Sequence, residues 1–238
     1  MSMREYFEIV TGPLLTGLGV TLQVFSGALV VATVVGLLVG SARLSRSRTL
    51  RYAAIGFTEF FRGTSALVQM FWVFYALPLM LGFPLPPLWA AWVVIGLNAG
   101  AYMAEMVRGA ISSVPHGQFE AAVALNIPPR TRFRRIVLPQ AVPVMVPNYI
   151  NEAITILKET AIVSLIGIFD MTHIAKTLRT ENGNSTLIFL TIAVIYLCMA
   201  LIIAGAGKVL EARVDIRRIP KHMDSSRPAA PMKAEVNA

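Results

Sequence analysis

The chain has 238 residues, of which 55% are hydrophobic and only 14% charged, with a formal net charge of +8. Soluble domains carry about 25% charged residues, so this composition excludes an ordinary soluble enzyme and describes an integral membrane protein. In that class a basic excess marks cytoplasmic loops rather than a nucleic-acid partner, and a lone cysteine, Cys198, excludes an internal disulfide and offers no metal cluster.

A helix crosses a bilayer with about 20 apolar residues. The first such run, 16–41, is too long for a signal-peptide core, and Glu5 and Glu8 spoil the basic leader that a signal would carry. It contains Gly36 and Gly40 at the small-residue spacing that lets helices approach closely. Arg43, Arg46, Arg48 and Arg51 follow it. A second run, 64–81, ends in the turn Gly82-Phe83-Pro84-Leu85-Pro86-Pro87. The third, 88–107, repeats the small-residue spacing at Gly96 and Gly100 and places Asn98, Tyr102 and Glu105 on one side.

A basic segment then separates the third run from the fourth. Residues 117–125 read as a short helix with Glu120 in its first turn, where a carboxylate favours the positive end of the helix dipole. Gly117 and the small Ala121 and Ala122 allow a partner to come close. Asn126 follows at the position after the helix, where it tolerates left-handed backbone best after glycine, and Pro128 stops the helix. Phe133, Ile136, Leu138 and Pro139 lead into the fourth run, 141–156. On that helix Asn148, Asn151, Glu152, Thr155, Lys158 and Glu159 fall within an arc of about 120° at 100° per residue, so one face is wet. Polar groups inside a membrane mark pathways or gates, or else pair with each other between helices, and both readings stay open for the third and fourth helices. The fifth run is 186–207. Residues 216–238 form a basic tail of disordered composition.

Five runs put the two ends on opposite sides of the membrane, and charge decides which is which. Seventeen of the 21 Lys and Arg lie on the side of the segment after the third run, against Arg4, Lys176 and Arg179 on the other and Lys158 within or near the membrane. The positive-inside rule therefore puts the N-terminus outside and the basic segment and tail in the cytoplasm. Gly205-Ala206-Gly207-Lys208-Val209 lacks the first glycine and the final hydroxyl of a nucleotide loop, so the chain is not expected to bind ATP. His116, His173 and His222 lack metal-ligand spacing, and Asn184-Ser185-Thr186 matches a glycosylation acceptor by chance.

The segment Glu120-Ala121-Ala122-Val123-Ala124-Leu125-Asn126, with Phe133 and Ile136-Val137-Leu138-Pro139, resembles the EAA loop of ATP-binding-cassette (ABC) importer permeases, a helix-turn-helix that docks onto the ATPase. Blocks at 57–64, 98–105, 108–111, 114–118 and 157–164 are similar to the histidine/glutamine type of polar amino-acid permease, so the resemblance covers about residues 11–215. Ser65, where proline is usual, and Asn126, in place of glycine, are similar to ectoine and hydroxyectoine permeases.

The resemblance implies an all-α permease domain, 1–215, of five transmembrane helices in the bacterial inner membrane. ATP and magnesium would belong to a separate ABC ATPase, docked at Gly117, Glu120, Ala121, Ala122, Asn126 and Phe133. An extracytoplasmic binding protein would deliver a small zwitterion, ectoine or hydroxyectoine first and a polar amino acid close behind, and a second permease subunit, identical or homologous, would complete the pathway. Asn98, Tyr102, Glu105, Asn148, Glu152, Thr155, Lys158 and Glu159 are the candidate pathway or gate. The competing reading is a subunit of an ion-gradient-driven transporter or channel, but the internal repeat usual in such chains is not visible here.

Overall fold

The computed structural model describes residues 3–182 and 185–215, and all the secondary structure among them is helical. Asn184 and the tail 216–238 lie outside the described residues. The first run is the middle of α1 (Met3–Arg43), which continues as helix at both ends. After a short turn comes α2 (Arg48–Gly63), which the apolar-run reading left as basic flank. Its only buried residues are Ala54 and Thr58, one turn apart, so it packs on its neighbours by a narrow face.

The chain then bends by 99° into α3 (Ala66–Leu81), whose middle, Trp72–Ala76, is a π turn. The expected span from Thr64 is thus corrected: Thr64 and Ser65 are extended, and α3 is apolar and long enough to cross a membrane only when joined to α2 as one bent pair. Side chains hold the bend. The Gln69 amide donates to Thr64 Oγ1 at 2.5 Å and to the Phe61 carbonyl at 3.2 Å, and the Asn98 amide donates to the same carbonyl at 2.8 Å.

The core element is α4 (Pro87–Ser112), packed along α1. Both small-residue pairs sit in this contact. A Cβ on Gly36 would lie 2.5 Å from Met103 Cβ, and one on Gly40 2.8 Å from the Ala104 carbonyl. In the opposite sense, Gly96 and Gly100 accept Val31 and Val35, whose Cβ atoms would be 2.5 and 2.8 Å from the added carbon. Such spacing lets two backbones meet where lipid offers no hydrophobic drive to pair them. Gly100→Leu should therefore overpack the contact by about 1–3 kcal/mol and lower the thermal midpoint of the purified protein, whereas Gly109→Ala, where an added Cβ meets nothing within 4 Å, should not.

The short helix α5 (His116–Ala124) leads through a turn, the helical turn Pro129–Arg132 and a π turn, Phe133–Val137, into α6 (Leu138–Glu159). A 3-10 segment, Thr160–Ile166, closes on Gly167 at φ 80. Next is α7 (Met171–Asn182), also absent from the sequence reading, and α8 (Ser185–Asp215) completes the described chain. Asp170 caps α7, its two carboxylate oxygens accepting from the Thr172 and His173 N–H groups at 3.0 Å each. Burial pushes this carboxyl up, and the two N–H donors pull the other way.

A main core joins Val24, Ala28, Ile95, Met103, Ile156 and Val163, and a second joins Leu14, Met171, Ala175, Leu178 and Ile188. Within α1, residues Thr11–Arg43 are long and apolar enough to span a bilayer, as are α4 and Ser185–Val214 of α8. At 22 residues α6 has the length, but its polar stripe keeps it from qualifying on composition.

Candidate functional site

The segment after α4 forms a helix-turn-helix. Its first arm, α5, begins at His116, one residue earlier than expected, so Glu120 stands in the second turn and not the first. Asn126 is the only non-glycine residue with positive φ among the described residues, at 54. Around it the Asn126 N–H donates to the Val123 carbonyl at 2.9 Å and the Ile127 N–H to the Ala122 carbonyl at 3.0 Å, the paired bonds of a Schellman turn. Gln140 ties the arms together, donating to Gln118 Oε1 at 2.5 Å and to the Ile136 carbonyl at 2.8 Å.

Ala122 is 2% exposed and faces the protein, whereas Gly117, Glu120 and Ala121 face outward. Beside them Leu125 is 74% exposed, and Val123 and Phe133 are exposed too. A loop that presents apolar side chains around one carboxylate has the composition of a contact surface.

The polar faces of α4 and α6 meet at an open cavity of about 470 Å³. Tyr102 and Glu105 come from α4, Asn148, Asn151 and Glu152 from α6, and Arg62 from the end of α2. Arg62 lies over the Tyr102 ring, with its guanidinium carbon 5.2 Å from the centroid. Glu105 is clamped: Arg43 Nη1 is 2.9 Å from one carboxylate oxygen, and Arg108 reaches the other through Nε at 2.9 Å and through Nη2. Arg43 also donates to the buried Thr58 hydroxyl at 2.6 Å, joining α1, α2 and α4 at one node.

The remaining candidates lie elsewhere. Asn98 is 4% exposed and bonded to the bend, not to the cavity. Thr155 is exposed on α6 and donates back to the Asn151 carbonyl, and Lys158 is exposed one turn further along. Glu159 follows, half-buried, with one oxygen inside and unpartnered. Arg62 and Arg43 were read from sequence only as cytoplasmic charge. The signal for Arg62 was the spacing of α2, where Thr58 and Arg62 are four residues apart and hence on one face.

Residues 32–216 match the family described as binding-protein-dependent transport system inner membrane component. The chain is 39% identical over 208 residues to a probable amino-acid ABC transporter permease protein of Sinorhizobium fredii, covering 85% of this chain and 87% of that one. It is 33% identical over 201 residues to an arginine transport system permease protein of Bacillus subtilis, covering 84% and 92%. Among solved structures, an amino acid ABC transporter with histidines superposes at a TM-score of 0.83 and 29% identity, over 90% of this chain and 99% of that one. The fold recurs at a TM-score of 0.68 and 22% identity, over the same shares of each chain, in the inward-facing MetNI methionine ABC transporter.

Proposed function

Because this chain belongs to the binding-protein-dependent transport system inner membrane components, we propose that it is the permease subunit of an ABC importer for a polar amino acid. Residues 1–215 form the permease domain and 216–238 its basic cytoplasmic tail. The domain crosses the membrane five times, with α6 as the fourth span and the N-terminus outside. The wet stripe of α6 faces a pathway shared with a second permease subunit.

The observation that carries the solute class is the cavity between α4 and α6. Arg62 there can meet a carboxylate, Glu152 an ammonium, and Asn148 and Asn151 the uncharged polar atoms between them. A compact zwitterion fits that set better than a sugar or a polyanion. The relatives' names, which concern amino acids and arginine, point the same way. Ectoine or hydroxyectoine is the second solute to test, on the strength of Ser65 and Asn126 alone. Ser65 stands at the bend before α3 and Asn126 at the docking turn, so neither contributes to the cavity lining.

The outward face of α5, with Gly117, Glu120 and Ala121, together with Phe133 from the second arm, is the surface for the ATPase, which brings the ATP and magnesium. An extracytoplasmic binding protein delivers the solute. Uptake by the reconstituted complex with its cognate binding protein tests this directly. Labelled glutamine, arginine, histidine, ectoine and hydroxyectoine should be compared with ATP inside the vesicles, and one of the amino acids should enter and be competed by the others. Uptake driven by an ion gradient without nucleotide would favour the secondary-transporter reading. Competition by a sugar or phosphate ester alone would remove the zwitterion.

A further inference from the structure

Where α6 and α8 run side by side they touch at Gly207, whose added Cβ would come within 2.6 Å of Ile150 Cδ1. Beyond that contact, toward the end of α8, the two helices leave neighbouring grooves of about 460 and 400 Å³ that share Val214. The larger carries Arg134 and Arg213 beside an apolar floor of Leu138, Pro139 and Val142. Both arginines are exposed, and among the described residues neither guanidinium has a carboxylate or hydrogen-bond partner. The smaller groove adds Lys208 and one acid, Glu211.

The apolar surface of α8 leads into these grooves. Leu190, Val194, Leu197 and Leu201 are exposed at helical spacing along it. At 100° per residue Leu201 and Lys208 differ by about 20°, so the apolar stripe ends at a cation. Two unpaired guanidinium groups above an apolar floor, at the end of a helix of membrane-spanning length, match an anion whose body is itself apolar. Guanidinium groups suit phosphate because they can donate two parallel hydrogen bonds.

We propose that the groove between α6 and α8 binds the phosphate head of an anionic glycerophospholipid, with its acyl chains along the exposed face of α8. The chain's own tail is a poor occupant, since its five cations, Arg217, Arg218, Lys221, Arg227 and Lys233, outnumber its two acids, Asp224 and Glu235, and the groove is itself basic. Arg134 directly follows Phe133 in the second arm of the helix-turn-helix, so a lipid held there joins that arm to the last helix. This goes beyond the permease reading, and its test reads binding rather than transport, so either can fail alone.

The intact complex, stripped of lipid in detergent, should be titrated with phosphatidylglycerol or phosphatidylethanolamine and the retained lipid counted by native mass spectrometry. Phosphatidylglycerol should bind saturably, and about thirtyfold more weakly to Arg134→Gln/Arg213→Gln, from roughly 1 kcal/mol per cation. Arg130→Gln, in the same loop but outside the groove, should bind it as the unmutated complex does. Inorganic phosphate should not displace it. Equal binding by the double variant, equal loss in Arg130→Gln, equal affinity for phosphatidylethanolamine, or displacement by phosphate would each overturn the proposal. The first would mean no role for the groove, the second general surface attraction, the third indifference to head-group charge and the fourth a soluble-anion site.

Discussion

A complex carrying Glu120→Lys should assemble its membrane helices normally yet lose uptake and the ATP turnover coupled to it. Glu120 is exposed on the outer face of α5 and belongs to neither core cluster, so the substitution is within about 0.5 kcal/mol of neutral for this subunit alone. At a docking surface the same reversal puts a cation where the partner is built to meet an anion. Like-charge juxtaposition across an interface costs several kcal/mol, and each 1.4 kcal/mol is tenfold, so a loss of roughly a hundredfold or more in coupled turnover is expected. Two neighbouring variants separate charge from shape. Asn126→Gly should keep full coupling, since glycine adopts a φ of 54 freely, whereas Asn126→Val forces a β-branched residue into that conformation and should weaken docking. Co-purification of the ATPase, nucleotide turnover and uptake are measured together, and full uptake by Glu120→Lys would remove this residue from the mechanism.

Glu105→Ala should be the most destabilising single change at the cavity. It strips two guanidinium groups of their counter-charge, and Arg43, whose side chain is only 11% exposed and whose buried Nε already lacks a partner, loses the carboxylate at its Nη1 as well. Breaking a fully buried pair costs about 3–5 kcal/mol; Glu105 itself is 28% exposed and Arg108 37%, which sets the expectation nearer 2–3 kcal/mol. For a chain of this size that is a fall of about 4–12 °C in thermal midpoint. Arg43→Met combined with Glu105→Leu removes the charge pair from the node and should recover most of the midpoint. If Glu105 also serves the solute path, the recovered protein will still fail to transport. A midpoint unchanged by Glu105→Ala would mean that the clamp between α1, α2 and α4 contributes nothing to stability.

Much of this architecture is legible in the sequence because a bilayer imposes simple rules. Long apolar runs gave α1, α4 and α8, and the docking turn was readable from Asn126, which tolerates left-handed backbone best after glycine, and from Pro128 two residues on, which stops a helix. What was missed has a common cause. The helix α2 buries only Ala54 and Thr58, so its arginines read as charge rather than as one face of a helix. Similarly, α7 is polar and short, though Asp170 as a cap followed by Met171, Ala175 and Leu178 at helical spacing marked it. A polar stripe reveals which residues share a face but not what lies opposite. Asn98 and Glu105 looked alike on α4, yet one ties the bend at Phe61 while the other meets arginines from α1 and its own helix. Asn98 finds its partner at the 99° turn after Gly63, which nothing in the apolar pattern announces, and Glu105 finds one of its own across the packing of α1 on α4.

The wet face of α6 as a solute path is the central claim, and cysteine accessibility tests it most directly. In a Cys198→Ala background, single cysteines replacing Asn148, Glu152 or Thr155 should react with a membrane-impermeant thiol reagent, at rates that change when ATP is added and, at the two cavity positions, fall in the presence of the transported amino acid. Cysteines replacing Ile150, which is 8% exposed, or Leu157, which is fully buried, should stay unreactive in every state. Equal labelling of the two sets, or reactivity at Asn148 and Glu152 that neither nucleotide nor solute alters, would contradict a pathway along this helix.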